Sequence, residues 1–155
     1  MYMTPSTSIT RGYTVERITS REQVDDELLE FFKMSAEQVA MDYGHKFNWK
    51  KFKLLSYARD HRLMICRRNG RPVGIMLSQL YGSVFDPDVK ILCQDLLFTK
   101  PGTRAARLLM RDFIDFGRLN ANHVITMIAE KTNIKRQSLE KLGFVKLEEL
   151  YRIEV

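Results

Sequence analysis

The chain is poor in several residues that would have signalled its chemistry. It has two cysteines, Cys66 and Cys93, four prolines and one tryptophan. Each cysteine lies inside an apolar, strand-like run, so both are expected to be buried free thiols rather than bridge partners. The three histidines, His45, His61 and His123, stand far apart and form no metal-ligand motif, so no metal site is expected. No stretch approaches the ~18 consecutive apolar residues needed to cross a bilayer, which argues against a membrane partner. The opening segment, Met1 to Thr10, lacks the basic start and apolar middle of a signal peptide. Residues 1–11 are expected to be a loose lead-in to a cytoplasmic chain. Arginine-rich tracts, zinc fingers and aromatic-basic RNA signatures are missing too, which leaves nucleic-acid binding a minority reading.

What is present describes a folded domain. With 155 residues, 45% hydrophobic and 28% charged, the chain can bury a core as one domain, 1–155, and is too short for two ordinary ones. Its 25 Lys and Arg against 19 Asp and Glu give a net charge of +6, which attracts polyanions without choosing among nucleic acid, an acidic protein surface and a phosphorylated cofactor.

Local patterns set the element order. Gly12 to Ile18 alternates weakly and reads as a strand. Ser20-Arg21-Glu22-Gln23 has capping-box form and predicts a helix from Arg21 to Met34 whose Val24, Leu28, Phe31 and Phe32 face inward. Ser35 to Gln38 repeats the pattern and predicts a second, shorter helix closed by Gly44. Asn48 can cap a third helix. Leu63 to Arg67 and Val73 to Leu80 read as a hairpin about Asn69-Gly70, with Pro72 tolerated at a strand start and Gly74 marking a bulge or close backbone approach. Tyr81 to Asp88 is turn-rich.

The central unit is an apolar run from Ile91 to Phe98, the short loop Thr99-Lys100-Pro101-Gly102-Thr103, and a helical pattern reaching Arg118. Ala106, Leu109, Met110, Phe113 and Gly117 form its apolar stripe, opposite Arg104, Arg107, Arg111, Asp115 and Arg118. A strand leading into a helix N-terminus through such a loop is an anion cradle by geometry. Beyond it, His123 to Ala129 reads as a strand, Ile134 to Leu142 as a helix capped by Thr132 or Asn133 and ended by Gly143, and Phe144 to Val155 as closing strand. The order predicts an α+β domain around a mostly antiparallel sheet.

Three motifs in this order resemble the GNAT superfamily of acyl-CoA-dependent N-acetyltransferases: the hairpin Cys66 to Ile75, the strand Cys93-Gln94-Asp95-Leu96-Leu97-Phe98 with its loop and helix, and Ser138-Leu139-Glu140-Lys141-Leu142-Gly143-Phe144. The likeness runs from Tyr13 almost to the end, and the chain also resembles the small divergent members of that fold found in bacteriophage genomes. The resemblance implies a mixed sheet with helices on both faces and a splayed central strand pair, with acetyl-CoA as cosubstrate. Backbone groups of Leu96, Leu97 and Phe98 would hold pantetheine like an added strand. The pyrophosphate would sit around Gly102 to Ala106, with Arg104 and Arg107 in reach.

The family's loop pattern, Q/R-x-x-G-x-G/A, is matched without gaps by Lys100-Pro101-Gly102-Thr103-Arg104-Ala105; in an alternative alignment Lys100-Pro101 corresponds to the family's proline-containing lead-in and Arg104 to its arginine, with the glycine-rich turn several residues short. Thr103 replaces the middle glycine and is a candidate helix cap. At the family's glutamate position stands Gln94, which can orient water but cannot take a proton. At its tyrosine position stands Leu139, which can do neither job. Replacements could come from Ser138, Asp95, Glu130, Tyr43 or His45, the last with a pKa suited to a base. Asp95 alternates to the strand face opposite Gln94.

The function implied is acetyl transfer to a small-molecule or protein amine by direct attack. An alternative is a catalytically silent GNAT-fold binding or virion-associated protein of phage origin, and a third is basic nucleic-acid binding through the arginine face. GNAT-like proteins often form homodimers. Acceptor choice would lie in the Tyr43–Trp49 and Tyr81–Asp88 segments.

Overall fold

The computed structural model describes residues 8–42, 61–126, 135–147 and 153. Among the described residues a six-stranded sheet carries the molecule, its strands in chain order from one edge to the other. They are β1 (Ser8–Thr10), β2 (Tyr13–Ile18), β3 (Arg62–Arg68), β4 (Arg71–Gly82), β5 (Lys90–Thr99) and β6 (His123–Ile125). All neighbours pair antiparallel except β5 and β6, which are parallel. Helix α1 (Asp26–Asp42) covers one face, α2 (Ala105–Asn120) covers the other, and the short α3 (Arg136–Lys141) packs Leu139 beside α2.

Two apolar clusters divide along those faces. Ile18, Leu63, Ile65, Ile75 and Leu77 meet Leu28, Phe31 and Phe32 of α1. Val15, Met64, Cys66, Met76 and Leu92 meet Ala105, Leu109, Met110 and Phe113 of α2. Alternation along β3 and β4 feeds both, as expected of a sheet buried on two sides. The apolar stripe of α2 is buried as expected at Leu109, Met110, Phe113 and Gly117, but at its start Ala105 rather than Ala106 is buried.

Several local expectations hold. Asn69 (φ 50°) and Gly70 (φ 82°) make the two-residue turn, and Gly143 (φ 91°) ends α3. Gly74 serves both of its expected purposes. The β3–β4 register shifts beside it, and a Cβ there would lie 2.7 Å from the Ala105 Cβ, so its absence lets α2 approach β4.

Other expectations are corrected. Part of the lead-in, Ser8–Thr10, is an edge strand. The capping box opens a 3-10 turn rather than the expected α-helix: Gln23 Oε1 accepts the Thr19 and Ser20 amides at 2.7 and 3.1 Å, and its Nε2 donates to the Arg17 carbonyl at 2.9 Å. Those bonds fasten a 3-10 turn, Arg21–Gln23, to the end of β2. Helix α1 starts later, with Asp25 Oδ1 accepting the Leu28 amide at 2.8 Å. It also runs unbroken through Ser35, whose hydroxyl donates to the Phe31 carbonyl one turn back at 2.7 Å and so caps nothing. Helix α3 starts after Lys135, the expected caps Thr132 and Asn133 lie outside the described residues, and Phe144 to Leu147 form no strand. Asn48 and its helix, and the rest of the closing strand apart from Ile153, lie outside the described residues.

Candidate active site

The site is built along β5 beyond its pairing with β6. Among the described residues that pairing covers Ile91–Cys93 against His123–Ile125, and β5 continues to Thr99. From Gln94 to Thr99, β5 pairs with β4 on one side and has no ladder partner on the other among the described residues. A free strand edge of this kind can take an extended ligand by backbone hydrogen bonds. Leu96 and Phe98 turn to the α1 cluster and Leu97 to the α2 cluster, so these side chains secure the strand. Phe98 meets Phe31 edge-on, ring centroids 5.8 Å apart.

Gln94 stands at the start of this edge. It is buried, lies opposite the buried Ser78 of β4, and its Oε1 accepts a hydrogen bond from the Thr126 hydroxyl just past β6. That bond ties β5 to the residue that follows β6 and gives the glutamine a positional role.

The loop after β5 is held from within. The Lys100 amide donates to the Val73 carbonyl at 2.8 Å, and the Thr103 hydroxyl donates to the Lys100 carbonyl at 2.7 Å. Thr103 is therefore mainly a turn-forming residue. Arg104 takes the N-cap place, while the Ala105 amide reaches the Thr103 hydroxyl only at 3.4 Å. The Arg104 amide donates to the phenol oxygen of Tyr13, 3.3 Å away on β2. The amides of Ala106 and Arg107 have no partner among the described residues, as the first turn of a helix requires. They can receive an anion beside the exposed guanidinium groups of Arg104 and Arg107. Gly102 (φ 72°) has open space where a Cβ would stand, so its requirement is conformational rather than steric. Lys100 lies with its Nζ 5.6 Å from the centre of the Phe31 ring, at the α1 side of the same loop.

On the α1 face a second set of groups gathers. The β4–β5 register shifts between Leu77 and Ser78, so that Leu77 faces Leu96 while Ser78 faces Gln94 and Asp95 is the extra residue. Gln94 and Asp95 point to opposite faces, as expected, but the bulge then breaks the alternation between Asp95 and Leu96. The Asp95 carboxylate lies 3.4 Å from His61 Nε2, with the two side chains 35% and 18% exposed. Burial pushes the Asp95 carboxyl above the usual range, and the His61 charge opposes that rise. Cys93 and Tyr81 complete the group. Burial raises the Tyr81 phenol first, followed by the nearby Cys93 and Asp95 charges. Burial likewise raises the Cys93 thiol, and its hydrogen bond with Tyr81 works the other way. A carboxylate about a third exposed and of raised basicity is equipped to take a proton.

Of the other candidates, Ser138 is exposed on α3, and no described hydrogen bond joins it to Gln94 or Asp95. Its neighbour Leu139 turns into the α2 cluster. His45, Tyr43 and Glu130 lie outside the described residues. Four contributors carry no local sequence signal for these roles: Tyr13, His61, Tyr81 and Thr126 reach the site across 91, 34, 12 and 32 residues from Arg104, Asp95, Cys93 and Gln94 respectively.

No protein-family model and no curated protein matches the chain. Solved structures do. A transcriptional regulator from Bacillus halodurans C-125 superposes with a TM-score of 0.68 at 12% identity, over 92% of this chain and 99% of that one. A GNAT family acetyltransferase from Staphylococcus aureus subsp. aureus USA300_TCH1516 gives 0.63 at 10% identity, over 93% and 99%. The aminoglycoside N-acetyltransferase AAC(6')-Iy in complex with CoA gives 0.59 at 14% identity, over 91% and 99%. The chain therefore has the GNAT fold, a mixed and mostly antiparallel sheet covered by helices on both faces.

Proposed function

We propose that the protein is an acetyl-CoA-dependent N-acetyltransferase acting on an amine by direct attack. The edge of β5 from Gln94 to Thr99, which has no ladder partner among the described residues and leads straight to amides of α2 that have none there either, carries this reading. A pantetheine arm and a pyrophosphate need that sequence of contacts, and the CoA complex of a protein with this fold supports the match. Leu96 to Phe98 would bind the arm through backbone groups. Ala106 and Arg107 amides, with the Arg104 and Arg107 side chains, would bind phosphate. The Arg104 amide, spent on Tyr13, would not.

The chemistry then asks little more of the chain. The acceptor ammonium gives a proton to the Asp95 carboxylate and its nitrogen bonds to the acyl carbon. The carbon–sulfur bond breaks, the nitrogen gives up its second proton to solvent as the amide forms, and the thiolate leaves to be protonated by solvent. Gln94, fixed by Thr126, holds the strand rather than moving a proton. The acceptor, a small molecule or a protein amine, approaches from the α1 face, where Asp95 and Tyr81 offer a carboxylate and a phenol to a cation.

Calorimetric titration with acetyl-CoA and with CoA tests the reading. Saturable binding of both at or below ~1 mM is expected, and no binding of either would sink it. Asp95→Asn should keep that binding and lose at least ~100-fold in turnover of any accepted amine. The silent, virion-associated reading keeps the fold and is favoured by Leu139, which leaves the leaving sulfur without a side-chain proton donor at the family position. Amine acetylation by the wild type excludes it.

A further inference from the structure

We propose that His61 is a positioning residue for the proton acceptor: the imidazole and the bulge carboxylate of Asp95 work as a pair, with His61 holding the carboxylate toward the incoming amine. The inference rests on the acetyltransferase reading for its catalytic meaning, but its geometry stands alone.

His61 immediately precedes β3, and Asp95 lies on β5, with β4 between them. Two side chains on one sheet face, two strands apart, are separated by roughly 10 Å at the backbone, so an approach of 3.4 Å requires both to lean over β4. The extra residue at Asp95 makes this possible. A bulge bends the strand and re-aims one side chain, and here that side chain is the carboxylate. The imidazole is mostly enclosed and the carboxylate about a third exposed, so the histidine lies on the protein side and leaves the carboxylate open to solvent. A surface ion pair would have both partners free to drift. This pair has one partner fixed by the fold.

The described titratable groups around the carboxylate are His61 from the segment before β3, Tyr81 from β4 and Cys93 from β5. Burial pushes Asp95 toward its neutral form, and of these groups His61 alone contributes a positive charge against it. Without the histidine the carboxylate would protonate at higher pH and lose its preferred direction. A proton acceptor must be ionised to work, so loss of His61 should move the acidic limb of the rate profile upward.

The test uses the full chain, with His61→Gln, which keeps a hydrogen-bond donor without the charge, and His61→Phe, which keeps neither. Carboxyl NMR of aspartate-labelled protein follows the Asp95 titration directly, with no cosubstrate and no turnover needed. Asp95 should titrate at higher pH in both variants than in the wild type, with the remaining spectrum showing a folded protein. In kinetics with a competent amine, His61→Gln should retain its high-pH plateau and lose several-fold on the acidic limb, while His61→Phe loses at both. The apparent affinity for acetyl-CoA should be unchanged in each. An Asp95 titration that is the same in the wild type and both folded variants overturns the proposal, and so does a rate loss in His61→Gln that is uniform across pH. If the wild type binds no acetyl-CoA and transfers no acetyl group, the enzyme reading fails, and the NMR titration still decides the pair.

Discussion

At the scale of single residues, burial does most to separate the reactive groups from the inert ones. Cys66 is fully enclosed between β3 and α2, and burial pushes its thiol from an ordinary value near 9 up to about 11. Thiolate is the reactive form, so Cys66 should resist alkylation in the native protein, while the half-buried Cys93 is labelled ahead of it. Mass spectrometry after timed iodoacetamide treatment reads the order, and equal rates would contradict it. The same shift carries a stability consequence. A folded-state value above the unfolded one stabilises the fold fully below pH 9, and that contribution is lost as the pH rises to about 11. Cys66→Val should therefore flatten the alkaline decline of the urea midpoint in that window.

Asp95 illustrates the opposite choice. Its carboxyl is raised by burial, so folding favours the neutral acid, and ionisation at neutral pH works against the folded state. Asp95→Asn should melt no lower than the wild type, and by this argument slightly higher, while losing turnover. A clear drop in Tm measured by scanning calorimetry would show that the carboxylate is structural. The faces of Gln94 and Asp95 could be read from alternation in the sequence. The bulge could not, because an extra residue is defined only by the register of β4 against β5. His61 was equally hidden: nothing near it in sequence distinguishes a site histidine from a surface one, and its partner lies 34 residues away.

At the scale of elements, features with local causes were legible and those with distant causes were not. The Asn69-Gly70 turn, Pro72 near a strand start and the apolar β5 run are short-range chemistry. The unbroken α1 was not, because Ser35 can cap a new helix or bond back one turn, and its burial against the sheet decides for the latter. Gly74 was legible as a close approach, but the partner, the first turn of α2, was not. That contact yields a sharp test. Gly74→Ala places a methyl 2.7 Å from the Ala105 Cβ and 2.9 Å from Leu109 Cδ1, so α2 must shift off β4 at its N-terminal end. Overpacking of this kind costs about 1–3 kcal/mol, and the shift falls at the anion-binding amides. Denaturant unfolding and acetyl-CoA titration should both register it. A variant destabilised without loss of affinity would separate the packing from the site.

At the scale of the whole molecule, the net charge of +6 takes its meaning from where the unpaired part of it sits. Arg62, Arg67, Arg118 and Arg136 are committed to Asp112, Glu16, Asp115 and Glu140. Arg104, Arg107 and Arg111 are exposed on α2 without an ion-pair partner among the described residues. A phosphate at the start of α2 and a nucleic acid along its face would use these three differently. Arg111 stands seven residues beyond Arg104, about 10 Å along the axis, roughly a Debye length at ordinary salt, and past the first turn where the helix dipole acts. Charge reversal at Arg104 or Arg107 should therefore weaken acetyl-CoA binding on the order of tenfold each, with Arg111→Glu costing far less. A polyanion lying along the helix would lose comparable affinity at all three positions, with a reduced salt slope at each. Titration of the three variants with acetyl-CoA and with a DNA duplex at two salt concentrations distinguishes the cases. A graded loss with acetyl-CoA assigns the charge to the site at the helix start, and an even loss with duplex assigns it to the face.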